Sequence, residues 1–135
     1  MKIKHHVMVL DGNATLRLMV KTILEMGDYR VTTCKFPEAL RSEVKNCRPD
    51  VILCDIHYSK IDGREICKAF KADPETANIP FIIYTAQPDC WSSSMAAGAD
   101  FFLEKPFEID FLCQKVGEAA ALELPEPKKE SFDIS

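Results

Sequence analysis

In PDVILCDIHYSKIDG, residues 49–63, a proline–acid break precedes four apolar residues, Val51 to Cys54, and the run ends in an acid, Asp55. A loop and an Asp62-Gly63 turn follow, and then Ile66, Cys67 and Phe70 fall on one helical face. A short apolar run bounded by turn signals fits a strand buried on both sides. Asp62 is placed to cap the helix over residues 63–71. That leaves the acid at the strand's end open to three readings: helix cap, metal ligand or nucleophile.

The same unit recurs on either side. Val7 to Leu10 stop at Asp11-Gly12, and residues 13–26 carry Leu16, Met19, Val20, Ile23 and Leu24 at helical spacing. Asn13 is a cap and Gly27 a stop. Residues 30–34 are β-branched and short, so a strand; residues 37–46 form a helix with Pro37 in its first turn. Residues 81–85 make a fourth strand and residues 91–97 a short helix ended by Gly98. Residues 100–103 make a fifth strand, cut by Lys105-Pro106. A long amphipathic helix over 107–122 rests on Ile109, Leu112, Val116 and Ala120. Trp91, at a helix start, is expected to be a partly buried packing residue rather than a partner anchor.

Five strand–helix units imply a parallel sheet covered by helices on both faces, an α/β doubly wound sandwich of three layers. The 135 residues fit one domain that builds its own core. A net charge of -4 points away from a nucleic-acid surface. No apolar stretch approaches the roughly 18–20 residues of a membrane span, and neither end reads as a targeting segment. Six cysteines lack C-x-x-C or zinc spacing, so reduced thiols in a cytoplasmic protein are expected.

In open parallel sheets ligands bind beyond the carboxyl ends of the strands. The residues there are Asp11, Asp55, Thr85 and Lys105. Taken singly each has a plain structural use: the acids as caps, Thr85 as a β-branched strand residue, Lys105 as a solvated lysine. Together they suit one chemistry. Two acids at neighbouring strand ends can share magnesium, a carboxylate can attack phosphorus, and a hydroxyl and an ammonium can meet phosphoryl oxygens.

In order and spacing, VLDGNATLR (9–17), PDVILCDIHYSKIDG (49–63), IPFIIYTA (79–86) and GADFFLEKPF (98–107) resemble the receiver domain of two-component response regulators. The resemblance spans about residues 3–122. It implies a flavodoxin-like (βα)5 fold with strand order 2-1-3-4-5, residues 1–124 as the receiver, and 125–135 as a disordered polar tail or the start of a linker. It makes Asp55 the phosphoacceptor for a sensor histidine kinase or phosphotransfer protein. Thr85 and Lys105 join it in the chemistry, and Lys105-Pro106 is cis. Thr85 and Phe102 form the switch, with a protein-interaction output face on the fourth helix, fifth strand and fifth helix. Magnesium would sit on Asp11, Asp55 and the backbone carbonyl of His57. His57 and Gln87 occupy positions that tune the lifetime of the aspartyl phosphate. Such a protein is itself phosphorylated and dephosphorylated and is not a turnover enzyme; no nucleic acid or membrane is a direct partner.

Two departures stand out. The family's adjacent acidic pair is here Asp11-Gly12, with Gly12 where a carboxylate normally touches magnesium. Losing that ligand weakens the cation site; an acid restored by Gly12→Asp is expected to strengthen it, and Asp11 moving in is the other remedy. The loop after the acceptor, His57-Tyr58-Ser59, is also unusual, and the His57 ring is expected in solvent. A phosphorylation-independent pseudo-receiver is the alternative. Enzymes of the same fold class lack support: His57 stands where a dehalogenase-type phosphatase needs a second Asp, and G-x-G-x-x-G is absent after the first strand.

Overall fold

Alternation along five short strands sorts their side chains onto two opposite faces, and both faces are buried. In the computed structural model, which describes residues 4–34 and 37–122, the elements run β1 (His6–Leu10), α1 (Ala14–Met26), β2 (Arg30–Thr33), a 3₁₀ turn (Pro37–Ala39) leading into α2 (Leu40–Cys47), β3 (Val51–Asp55), α3 (Gly63–Ala72), β4 (Phe81–Thr85), α4 (Trp91–Ala96), β5 (Phe101–Glu104) and α5 (Ile109–Ala120). All ladders are parallel and the sheet order is β2-β1-β3-β4-β5, the doubly wound sandwich expected. The tail reading for 125–135 lies outside the described residues.

One face carries Met8, Leu10, Ile52, Cys54, Phe81 and Ile83 against Leu40, Val44, Ile66, Cys67 and Phe70 from α2 and α3. The other carries Val7, Val9, Val51, Leu53, Ile82 and Tyr84 against Val20 and Leu24 of α1 and Leu112, Val116 and Ala119 of α5. Each fully buried aliphatic side chain contributes about 1.5–3 kcal/mol. Two near-continuous rows of them hold the sheet without disulfides. Cys54 and Cys67 serve as small core hydrophobes, and burial pushes the Cys67 thiol up to about 12.

The helix ends follow local chemistry. The Asn13 side chain accepts from the Leu16 N–H at 3.0 Å, and the Asp62 side chain from the Arg64 N–H at 2.8 Å. The Arg64 guanidinium also pairs with Asp62 at 2.6 Å, and its hydrogen bonds hold the Asp62 carboxyl below its usual range. Arg64 then reaches Ser93 of α4 at 2.8 Å.

Several expectations are corrected. The helix expected from Pro37 opens as a 3₁₀ turn and becomes α-helical only at Leu40. The helix expected from Phe107 begins at Ile109, because Glu108 is extended (ψ 149°) and the Phe107 ring turns in toward the Tyr84 ring, 6.1 Å away. Ile109 is consequently exposed, as is Met19 on α1. Trp91 is 59% exposed and is not a packing residue. β3 runs one residue further than its apolar run and includes Asp55.

Gly63 fixes how closely α3 approaches β3. A Cβ there would overlap the Asp55 carbonyl oxygen, while the Gly63 N–H donates to the Ile56 carbonyl at 2.8 Å. Gly63→Ala is therefore expected to cost about 1–3 kcal/mol, read as a lower urea midpoint with an unchanged slope. An unchanged midpoint would show that α3 shifts freely.

Candidate functional site

The register of the sheet brings the acids together. Leu10 pairs with Cys54, so Asp11 and Asp55 follow at neighbouring strand ends, and Asp55 itself pairs with Tyr84. Lys105, just past β5, is joined to β4 by its N–H to the Thr85 carbonyl at 2.8 Å. Its Nζ lies 2.7 Å from Asp55 Oδ2 and 3.3 Å from Asp11 Oδ2. All three side chains are largely removed from solvent, so the two carboxylates share one ammonium in a medium that screens them little. The Lys105-Pro106 bond is cis, as the resemblance implies.

Asp55 Oδ1 also accepts the His57 N–H at 2.9 Å. Thr85 is fully buried; its Oγ1 accepts the Gln87 N–H at 3.0 Å, and its own hydroxyl proton remains available to a nearby oxygen. Phe102 pairs with Ile83 and is half-buried against the same sheet face that carries Thr85. The His57 ring is exposed, as expected, but it is held: its Nε2 is 2.8 Å from Gln87 Oε1. His57 and Gln87 thus form one clasp between the β3–α3 and β4–α4 loops.

Asp11 is the most enclosed of the site's charged groups. It is 1% exposed. Its Oδ1 accepts the Asn13 N–H at 2.9 Å, and its Oδ2 accepts the Tyr84 hydroxyl at 2.5 Å as well as Lys105. Lys105 Nζ sits 4.4 Å from the centre of the Tyr84 ring. Burial, then the Asp11 charge, push the Tyr84 phenol far above its usual range, so it is a fixed donor. The Arg17 guanidinium donates to the Asp11 carbonyl at 2.7 Å.

Gly12 lies beneath the β3–α3 loop. A Cβ built on it would stand 2.8 Å from the His57 carbonyl oxygen and 2.7 Å from that of Tyr58. Tyr58 pins this loop: it is buried and donates its hydroxyl to the Cys34 carbonyl at 2.5 Å. The expectation that Gly12→Asp strengthens a cation site meets a steric condition here. A side chain at 12 meets backbone, and the loop has to move before any carboxylate fits.

Magnesium asks for several oxygen ligands in near-octahedral array. With Gly12 bare and Asp11 engaged by three donors, this pocket offers the Asp55 carboxylate and the His57 carbonyl. Among the described residues no group of three or more His, Cys, Asp or Glu side chains is placed to hold a metal ion. The donor set does not fit magnesium at the position implied by the resemblance.

The sequence pattern of the response regulator receiver domain matches residues 7–117. The chain is a response regulator receiver domain. It is 30% identical over 112 residues to the sensory transduction protein BceR of Halalkalibacterium halodurans, covering 82% of this chain and 47% of that protein. It is 28% identical over 112 residues to the DNA-binding dual master transcriptional regulator RpaA of Synechocystis, covering 82% of this chain and 46% of that protein. The receiver thus spans less than half the length of these curated relatives. Among solved structures, the chemotaxis response regulator CheY4 of Vibrio cholerae superposes with a TM-score of 0.78 at 24% identity, over 87% of this chain and 99% of that one. The receiver domain of a Pseudomonas aeruginosa sensor histidine kinase, with a magnesium ion coordinated in its active-site cleft, gives 0.79 at 23% identity, over 89% and 100%. No described helix of the receiver is long and apolar enough to cross a membrane.

Sequence reasoning placed Asp11, Asp55, Thr85 and Lys105 at one edge and missed Tyr84, Arg17 and Tyr58. Tyr84 shares the parity of Ile82 and so falls on the face covered by α1 and α5, but its hydroxyl is placed only by contacts across the sheet. Tyr84 and Tyr58 are both kept protonated in the receiver by burial. An unfolded phenol ionises near ~10. The stability their neutrality supports is therefore complete below about pH 10 and falls as the pH rises further. In an alkaline titration, phenolate absorbance is expected to rise together with loss of the native circular dichroism. Full ionisation of all three tyrosines under a native spectrum would refute this.

Proposed function

We propose that Asp55 accepts a phosphoryl group from the phosphohistidine of a sensor histidine kinase or phosphotransfer protein, and that the result is read as a change in a protein-interaction face. The observation that carries this is the Asp55 carboxylate at the end of a buried strand with Lys105 Nζ 2.7 Å away. An Asp55 oxygen attacks phosphorus as the phosphorus–nitrogen bond breaks, and the departing imidazole leaves with the bonding pair and takes up a proton. The transferred group brings a charge of about -1.5 to -2, which Lys105 meets as a point charge and Thr85 as a hydroxyl donor. Moving Thr85 toward the phosphoryl oxygens frees space on the face that holds Phe102. The α4–β5–α5 face then reads out the change; Trp91, Ile109 and Phe111 are its exposed apolar side chains. The receiver works in the cytoplasm, touches no nucleic acid itself and turns over no separate substrate.

A second reading has its own support. The closed state of Asp11, with Tyr84 and Lys105 on one oxygen, also suits a pseudo-receiver that binds a partner without phosphate.

Incubation with a phosphohistidine-bearing phosphotransfer domain, with and without magnesium, separates the two. The expected result is an intact-mass increment of one phosphoryl group, absent in Asp55→Asn and slowed at least about tenfold in Lys105→Ala. No increment under any condition removes the first reading; partner binding that ignores Asp55→Asn then establishes the second. Because the His57 and Gln87 side chains are joined, His57→Ala and Gln87→Ala are expected to change the adduct's half-life by the same factor, with the double variant no further. Additive effects would show that the clasp does not act as a unit.

A further inference from the structure

We propose that Tyr84, with Lys105 and Arg17, takes the place of the divalent cation at Asp11, so that this receiver's acidic pocket is closed and charge-balanced without a metal. Four observations carry it. The carboxylates of Asp11 and Asp55 share the ammonium of Lys105, and Arg17 brings a second positive charge beside them through its hydrogen bond to the Asp11 backbone carbonyl. Asp11 Oδ2, which faces Lys105, is occupied by the Tyr84 hydroxyl, and Oδ1 by the Asn13 N–H. Lys105 lies over the Tyr84 ring, so the same aromatic side chain positions the ammonium and donates to the acid it neutralises. The place of a second carboxylate is filled by the backbone at 57 and 58 approaching Gly12, a path held by the Tyr58 hydroxyl on Cys34.

Tyr84 is thus a positioning residue: it acts on the pocket through Asp11 and Lys105. A hard dication entering here has to displace a buried phenol and an ammonium from a carboxylate, and it gains only one further acid. Taking away the phenol's proton donation returns a lone pair of Asp11 to the pocket and makes that exchange easier. The inference concerns the resting pocket and stands whether or not Asp55 takes a phosphoryl group.

The test is metal binding by the full chain, without any phosphodonor. Magnesium titration followed by amide chemical shifts around Asp11 and Asp55, and manganese titration followed by paramagnetic relaxation, give the affinities of the wild-type protein and Tyr84→Phe. Tyr84→Phe keeps the ring and its packing; circular dichroism and thermal unfolding check that it folds. The expected result is no saturable binding at millimolar metal in the wild-type protein and at least about tenfold tighter binding in Tyr84→Phe. Lys105→Met, which removes the other occupant of Oδ2, is expected to shift affinity in the same direction. Saturable millimolar or tighter binding by the wild-type protein overturns the proposal. Folded Tyr84→Phe and Lys105→Met proteins that bind no better than wild type overturn it as well, because the hydroxyl and ammonium then are not what keeps the cation out.

Discussion

Two buried carboxylates at adjacent strand ends cannot both stay ionised at low cost unless a cation stands between them. Lys105 stands between them, 2.7 Å from one and 3.3 Å from the other. A buried charge left unpaired costs several kcal/mol, so every element that positions Lys105 serves the fold as well as the site. β5 delivers it, the pairing to Thr85 fixes its backbone, and the Tyr84 ring supports its ammonium. The chemistry of the pocket and the stability of the carboxyl edge of the sheet rest on one cation.

That arrangement explains why the loops take their shapes. The β3–α3 loop turns its His57 N–H to Asp55 and is anchored from beneath by Tyr58; the β4–α4 loop turns its Gln87 N–H to Thr85. The two are joined above the pocket by His57 and Gln87. Below, Gly63 lets α3 begin directly against the Asp55 carbonyl, and Arg64 connects that helix start to Ser93 of α4. A change at Asp55 therefore has a short covalent and hydrogen-bonded route to the helix that bears Trp91.

Most of the architecture was legible because a parallel sheet buried on both sides writes itself as short apolar runs. Val51–Asp55 and Phe81–Thr85 are such runs, and their terminal polar residues mark the edge where ligands gather. The caps at Asn13 and Asp62 were legible for the same local reason. What escaped notice depends on reach across the sheet. The Tyr84 hydroxyl meets Asp11 across 73 residues of sequence, and nothing in FIIYT says which way a phenol points. The start of α5 escaped too, because helical spacing from Phe107 is genuine, yet the ring is used against Tyr84 and the backbone stays extended through Glu108. Exposure of Trp91 was misjudged because composition favours burial of a large ring and a six-residue helix gives little pattern to overrule it.

The close approach of the β3–α3 loop to Gly12 limits how the pocket can be rebuilt. With a glycine at this position the β3–α3 loop lies close, and two carbonyl oxygens occupy the path of any Cβ. Positions 12, 58 and 84 are thereby made interdependent. A single substitution that places a side chain at 12 meets that backbone directly. Grafting a metal-dependent site onto this scaffold is a problem of substitution order, with the loop and the phenol released first and the acid introduced last.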